Sequence, residues 1–161
     1  MAERMPYEDT TVNPASSMGH IRDLCLRYGA DAVQFSDDLK ARCFQVAMMM
    51  DGLPLRLTVD YGTYQRKLVE NHPRSDTSTL DRQAERTAWR WAYYHLKLVF
   101  EADALGFLPK QLALLAGFVG PDGRTVGETI GGRLPEWHLK GEKVLRLPAA
   151  TVIEANFEGG D

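Results

Sequence analysis

Hydrophobic and polar positions along the chain change period several times, and the longest uniform stretch is TLDRQAERTAWRWAYYHLKLVFEADALG, from Thr79 to Gly106. Neither Gly nor Pro interrupts it before its end, and apolar residues recur at helical spacing. At about 100 degrees per residue, Ala84, Ala88, Trp91, His95, Leu98, Val99 and Ala102 gather on one side, which predicts a buried stripe centred on Trp91 and Val99. Arg82, Arg86, Arg90 and Lys97 gather on the other, with Trp89, Tyr93 and Phe100 beside them. Asp81 is the expected N-cap, with Thr79 as the alternative. Gly106 suits the exit, and Pro109 bars continuation.

The preceding residues alternate differently. Ser16 or Ser17 can cap a first helix whose Ile21, Leu24, Cys25 and Tyr28 share a face, and Gly29 ends it. Three strands are predicted next: Ala32–Ser36, Lys40–Met50 and Leu53–Tyr61. In the last, Leu55, Leu57 and Val59 alternate with Arg56, Thr58 and Asp60. Asp51-Gly52 between two such runs predicts a two-residue hairpin. The Met48–Met50 run fills core and sheet face. Residues Gly62 to Ser78, with Asn71, Pro73 and a Ser/Thr/Asp cluster, predict a connecting loop. After the central helix, Leu108 to Phe118 predicts a short helix with Leu112, Leu115 and Ala116 inward, and Pro121-Asp122-Gly123 a tight turn. Gly127–Gly132 predicts no element.

The expected architecture is therefore α+β: a helix, a three-stranded antiparallel sheet, a long helix packed across it, and a short helix. Residues 1–17 are expected to form an N-terminal arm and 18–130 a single domain. Residues 131–161 are expected to form a tail with extended pieces at Trp137–Leu139 and Lys143–Leu147.

Composition narrows function only slightly. The 161 residues are 44% hydrophobic and 25% charged, which is enough for a core. A net charge of −3 means that any nucleic-acid contact must come from a local patch. Cys25 and Cys43 provide no disulfide framework and no zinc knuckle, and they predict buried thiols of a reducing compartment. The N-terminus lacks the apolar core of a signal peptide, and no apolar run reaches membrane-spanning length, so a cytoplasmic protein is expected. The histidines His20, His72, His95 and His138 are scattered, and His95 lies on the predicted apolar side. GFVGPDGRTVGETIGG is glycine-rich but follows a helix, the wrong setting for a phosphate cradle. With no catalytic motif, no metal-ligand spacing and no cofactor fingerprint, the sequence points away from an enzyme.

Three stretches, IRDLCLRYGADAVQF, AWRWAYYHLKLVFEADALG and GPDGRTVGETI, together resemble a family of small uncharacterised proteins encoded by tailed bacteriophages and prophages. The matching positions are Arg27, Tyr28, Gly29 and Ala30; Trp89 and Arg90; Lys97, Glu101 and Ala102; and Pro121 through Glu128. The likeness spans Ile21 to Ile130 and implies a phage setting inside the host cell, with no established activity. Ala88 and Val99 stand where a basic residue is common in that family. The element order is also similar to that of double-stranded-RNA-binding domains, although RQAER at Arg82–Arg86 is a poor version of their basic cluster.

The functional expectation is a non-enzymatic accessory protein that binds nucleic acid, in DNA replication or recombination. Arg82, Arg86, Arg90 and Lys97 would contact phosphates, and Trp89 and Tyr93 would stack on bases. A solvated helix face is the plain alternative for these residues. A second functional expectation is a protein that binds and blocks a host or defence protein through the same aromatic-arginine face, since Trp, Tyr and Arg dominate binding hot spots.

Overall fold

The structure, a computed structural model, describes residues 5–131; apart from Gly131 the tail predicted over 131–161, with its two extended pieces, lies outside the described residues, as do residues 1–4 of the predicted arm. Strands β1 (Ala30–Asp38), β2 (Cys43–Met50) and β3 (Leu53–Asp60) form one antiparallel sheet in the order β1-β2-β3. The β2–β3 hairpin is the one predicted. Met50 pairs with Leu53 across two loop residues, Asp51 at φ 53° and Gly52 at φ 73°. Two positive φ values give the turn a twist that matches the strands it joins. The alternation then buries Phe44, Val46, Met48, Met50, Leu55 and Val59 on one face. β1 is longer than expected and carries an irregularity between Ala30 and Ala32. β2 starts later than expected, because Arg42 at φ 53° closes the β1–β2 turn.

The first helix, α1 (Pro14–Arg27), begins earlier than Ser16. Asn13 Oδ1 accepts from the Ser16 amide at 2.7 Å, and Pro14 occupies the first turn, where its missing N–H costs nothing. Ser17 is instead buried within the helix. The loop expected over Gly62–Ser78 is largely a helix, α2 (Gly62–Asn71). Its missed signal is Tyr61, Tyr64 and Leu68 at helical spacing. Gly62 misleads as a breaker, yet a Cβ there would meet Asp60 Oδ1 at 3.1 Å and Arg42 Cβ at 3.4 Å, so close approach explains it.

The central helix is α3 (Thr77–Ala104). Neither Asp81 nor Thr79 caps it; Asp76 does, accepting from the Thr79 amide at 3.0 Å. Gly106 ends it as predicted, at φ 73°, with its amide on Asp103 O at 2.9 Å and the Phe107 amide on Ala102 O at 2.9 Å. The predicted phase holds only in part: Ala84, Ala88 and Val99 are buried as expected, but the stripe is rotated away from Trp91 and Leu98. Trp89, placed on the basic-aromatic side by spacing, is fully buried, while Trp91 is 43% exposed and Leu98 69% exposed. The buried arc runs through Leu80, Ala84, Thr87, Ala88, Trp89, Ala92, Leu96, Val99 and Phe100. It is wide because α3 is covered on three sides, by the sheet, by α1 and by α2. Trp89 lies flat on Phe44, with centroids 3.6 Å apart and planes 11° from parallel, and forms a T-shaped pair with Phe35.

After α3 the chain forms α4 (Lys110–Ala113), a 3-10 turn (Leu115–Gly117) and α5 (Val126–Ile130). The single helix expected over Leu108–Phe118 is thus cut short, and Leu114 is buried rather than Leu112, Leu115 or Ala116. The cause is the edge of β3. The Val119 amide donates to Pro54 O at 2.9 Å, and Phe118 bridges Leu55, which turns the chain out of its helix. Gly117 permits this, since a Cβ would sit 3.0 Å from Arg56 O. α5, in a stretch where no element was expected, is held by a capping box between Thr125 and Glu128.

Because Trp89 fills the centre of the core, Trp89→Ala should cost about 3–5 kcal/mol. Trp91→Ala should cost no more than about 1 kcal/mol, as for a surface position. Chemical denaturation of the two variants checks this, and equal losses would place both rings in the core. Gly52→Val should lose about 1–3 kcal/mol through backbone strain at the hairpin turn. An unchanged denaturation midpoint would show that this turn tolerates a β-branched side chain.

Candidate functional site

Of the six residues with a sequence-predicted binding role, the structure keeps five on one arc of α3 and removes the sixth. Trp89 belongs to the core, so its ring offers no face to a base. The sheet claims it because the inner face of β2 and β3 presents a flat aromatic, Phe44, at the middle of the layer. Tyr93 is half-buried, tilted against His20 of α1 and against Tyr94.

The four cations are not equivalent. Arg90 lies over Tyr93 and Tyr94, with its guanidinium carbon 5.1 and 4.6 Å from their centroids, and donates to Tyr94 Oη at 2.9 Å. Tyr94 is in turn stacked on Tyr7 of the N-terminal arm at 5.1 Å. Arg90 is therefore engaged by two tyrosines of its own helix before it is a ligand, and Tyr94 carries the contact on to the arm. Lys97 pairs with Glu101 at 3.6 Å, one turn on. Arg82 donates through Nε to Ser78 O at 3.3 Å. Arg86 has Glu85 beside it, a carboxylate whose pKa burial and the charge of Asp37 both raise and Arg86 lowers. Arg82, Arg86 and Arg90 make no ion pair among the described residues. A cleft lined by Leu39, Tyr61, Ser78, Asp81, Arg82 and Glu85 brings carboxylates to the start of the stripe. Asp81 there pairs with Arg42 at 3.3 Å. The field along the stripe is thus mixed, cationic only over part of its length.

The arm that covers part of α3 is ordered by side chains from two helices. Gln83 donates to Glu8 O at 2.8 Å and to Thr10 O at 3.0 Å, and Thr87 Oγ1 donates to Tyr7 O at 3.0 Å. From α2, Tyr64 Oη donates to Pro6 O at 2.8 Å. Tyr7 adopts φ 60° to present both its carbonyl and its ring to α3.

The opposite flank of α3 is where sequence and structure part most usefully. Trp91, His95, Leu98, Ala102 and Leu105 are spaced four, three, four and three residues apart. That is the seam spacing by which one helix packs on another. Of the residues expected in the core, Trp91 and Leu98 are instead exposed and His95 and Ala102 half-buried; Leu105 is 67% exposed, and Phe107, just past the helix, is 80% exposed. His95 stacks on Trp91 with centroids 5.0 Å apart and planes 6° from parallel. A cleft of about 400 Å³, lined by Pro6, Thr58, Val59, Tyr64, Thr87 and Trp91, opens at its upper end. Tyr64 is in the first turn of α2, so α3 runs on from Trp91 past the end of its neighbour. The signal for two seams was present in Leu96-Lys97-Leu98-Val99. Either leucine completes an apolar stripe there, and the structure buries Leu96 and leaves Leu98 exposed.

Among the described residues no group of three or more His, Cys, Asp or Glu side chains is placed to hold a metal ion, and no helix is long and apolar enough to cross a membrane. Cys25 is buried, which pushes its thiol up to about 12, and it donates to Met48 Sδ at 4.0 Å. Such a thiol is inert at neutral pH. Comparison of the chain with family models, with curated proteins and with solved structures finds no match.

Burial lowers the pKa of His95 from its ordinary value of about 6.5. A depressed histidine is neutral in the folded protein and charges more readily once unfolded. Its contribution to stability is therefore complete above about pH 6.5 and is lost as the pH falls through the folded pKa. Wild type should lose more stability between pH 7 and pH 5 than His95→Gln, and the imidazole should titrate below 6.5 by NMR. A midpoint above 6.5 would reverse the sign.

Proposed function

We propose that this protein is a non-enzymatic binding protein that engages another protein through the flank of α3 carrying Trp91, His95, Leu98, Ala102 and Leu105. The observation that supports it is the exposure of large apolar side chains at helix-packing spacing, Trp91 43%, Leu98 69% and Leu105 67% exposed, with His95 and Ala102 half-buried between them. Contiguous apolar surface of this kind marks contact sites, and Trp is the residue most enriched where binding energy concentrates. In the phage setting implied by the sequence resemblance, the protein acts in the host cytoplasm as an accessory factor. A host or defence protein is then the kind of partner that would be bound and blocked.

Nucleic-acid binding is the second function proposed, because Arg82, Arg86 and Arg90 share one arc without an ion pair among the described residues. Its weaker points are physical. Trp89 cannot stack, Arg90 is engaged by two tyrosine rings, Lys97 has Glu101, and acidic groups border the stripe.

The two are separated with full-length protein as bait in infected cells, with and without nuclease. Leu98→Glu should abolish recovery of a partner by at least about tenfold, as expected for a charge placed in an apolar contact. Combined Arg82→Ala and Arg86→Ala changes should leave recovery intact. A nuclease-sensitive association that is lost with the arginines and indifferent to Leu98→Glu would establish the nucleic-acid function instead. Oligonucleotide titration of the same variants should then show a salt slope reduced by close to one for each phosphate contact removed.

A further inference from the structure

We propose that the free edge of β1 is a strand-addition site for an extended basic segment of a partner protein. The segment pairs main chain to main chain with Ala32–Ser36 and sets its cations against Asp31, Asp37 and Asp38. The site is separate from the α3 flank and does not depend on it.

The sheet has two edges, and the chain treats them differently. Along β3 the Val119 amide donates to Pro54 O at 2.9 Å and Phe118 bridges Leu55, so that edge is covered. β1 pairs with β2 on one side, and among the described residues no strand or bridge lies on its other side. An edge strand turns every second N–H and C=O away from its neighbour, a row of groups that another strand can pair with. At nine residues β1 is long for such an edge, which proteins commonly keep very short.

Charge at the two ends selects the occupant. The register breaks between Ala30 and Ala32, and Asp31, Asp37 and Asp38 flank the middle; irregularity and charge are the devices by which sheets discourage indiscriminate pairing. Ala32 to Ser36 between them are uncharged. Val33 and Phe35 pack against the core, with Arg22 of α1 over the Phe35 ring at 5.9 Å. Ala32, Gln34 and Ser36 instead border a shallow depression of about 450 Å³ on the outer face, which leaves room for the side chains of an added strand. None of the three aspartates forms an ion pair among the described residues. Burial and the charge of Asp38 raise the pKa of Asp37, and burial and Asp37 raise that of Glu85, so negative charge accumulates at that end. A second copy is a poor occupant: antiparallel pairing centred on Gln34 sets Asp31 against Asp37, and like charges directly opposite are destabilising. A strand with cations at both ends meets the opposite charge at each.

The test is a titration of the full-length protein with a synthetic peptide that has two lysines at each end of an alternating Thr-Val middle. Amide exchange followed by NMR should slow at least about tenfold at alternate residues of Ala32–Ser36 once the peptide saturates, as new main-chain bonds require. A peptide with glutamates for lysines should bind at least about tenfold more weakly. The lysine peptide should lose as much on protein carrying Asp31→Asn, Asp37→Asn and Asp38→Asn together. N-methylation of every middle amide keeps the charge of the peptide but removes its strand donors, and it should also weaken binding at least about tenfold. The peptide arms need no change to the protein, so they remain informative should the triple variant fold poorly. Absence of saturable binding overturns the proposal, and so does binding that survives N-methylation, which is charge attraction alone. Slow exchange at every amide of Ala32–Ser36 in the protein by itself also overturns it, by showing that the edge is already paired. Such protection rising with protein concentration, with a dimer on sedimentation, would assign the edge to a second copy. Leu98→Glu should leave peptide binding unchanged, which keeps failure at this edge distinct from failure at the α3 flank.

Discussion

The stack of Trp89 on Phe44 is the contact on which the rest of the arrangement depends. A 3.6 Å separation between nearly parallel rings fixes both the rotation of α3 and its height above the sheet. With Trp89 turned inward, Phe100 faces inward three turns later and stacks on Tyr28 at 5.2 Å, which ties the end of α1 to the end of α3. The small residues Ala84, Ala88 and Ala92 then face flanking structure at close range, and Ala84 and Ala92 are fully buried. The same rotation leaves Trp91 and Leu98 outside. Core and candidate surface are two results of one choice of helix phase.

That choice also shows how far the sequence could be read. Strand alternation has only two phases, so one good turn, Asp51-Gly52, was enough to set register and inner face for β2 and β3 together. A helix has no such binary decision. In α3 apolar residues spread widely round the helix, and spacing alone does not tell a stripe that joins Trp91 and Leu98 to Ala88 and Val99 from one that joins Trp89, Ala92 and Leu96 to them. Length and caps were legible because they rest on local chemistry, the absence of breakers and the demand for positive φ at Gly106. The covered side depended on α2, hidden by an opening glycine, and on the arm, whose bonds to α3 leave no periodic trace.

The basic stripe illustrates a related ambiguity. Arginines at four-residue spacing invite a phosphate interpretation, yet the first use of Arg90 is internal. Its guanidinium stacks on two tyrosines, one of which carries Tyr7. A planar cation suits that sandwich in a way that an ammonium would not. Aromatic-arginine composition on a helix therefore marks a binding face only after the neighbouring chain has been placed.

The arm's bonds have a consequence for the order in which the molecule assembles. Thr87 reaches Tyr7, and Gln83 reaches Glu8 and Thr10, across more than seventy intervening residues. The hairpin closes across two. Loop-closure entropy makes the short connection early and the long one late, so the arm can settle only after α2 and α3 have met. Contacts formed last and held by a few part-buried hydrogen bonds are also the first to open. The amino-terminal segment should therefore fluctuate as a unit separate from the sheet, uncovering the face of Tyr94 on which Tyr7 stacks while the Trp89 stack stays shut.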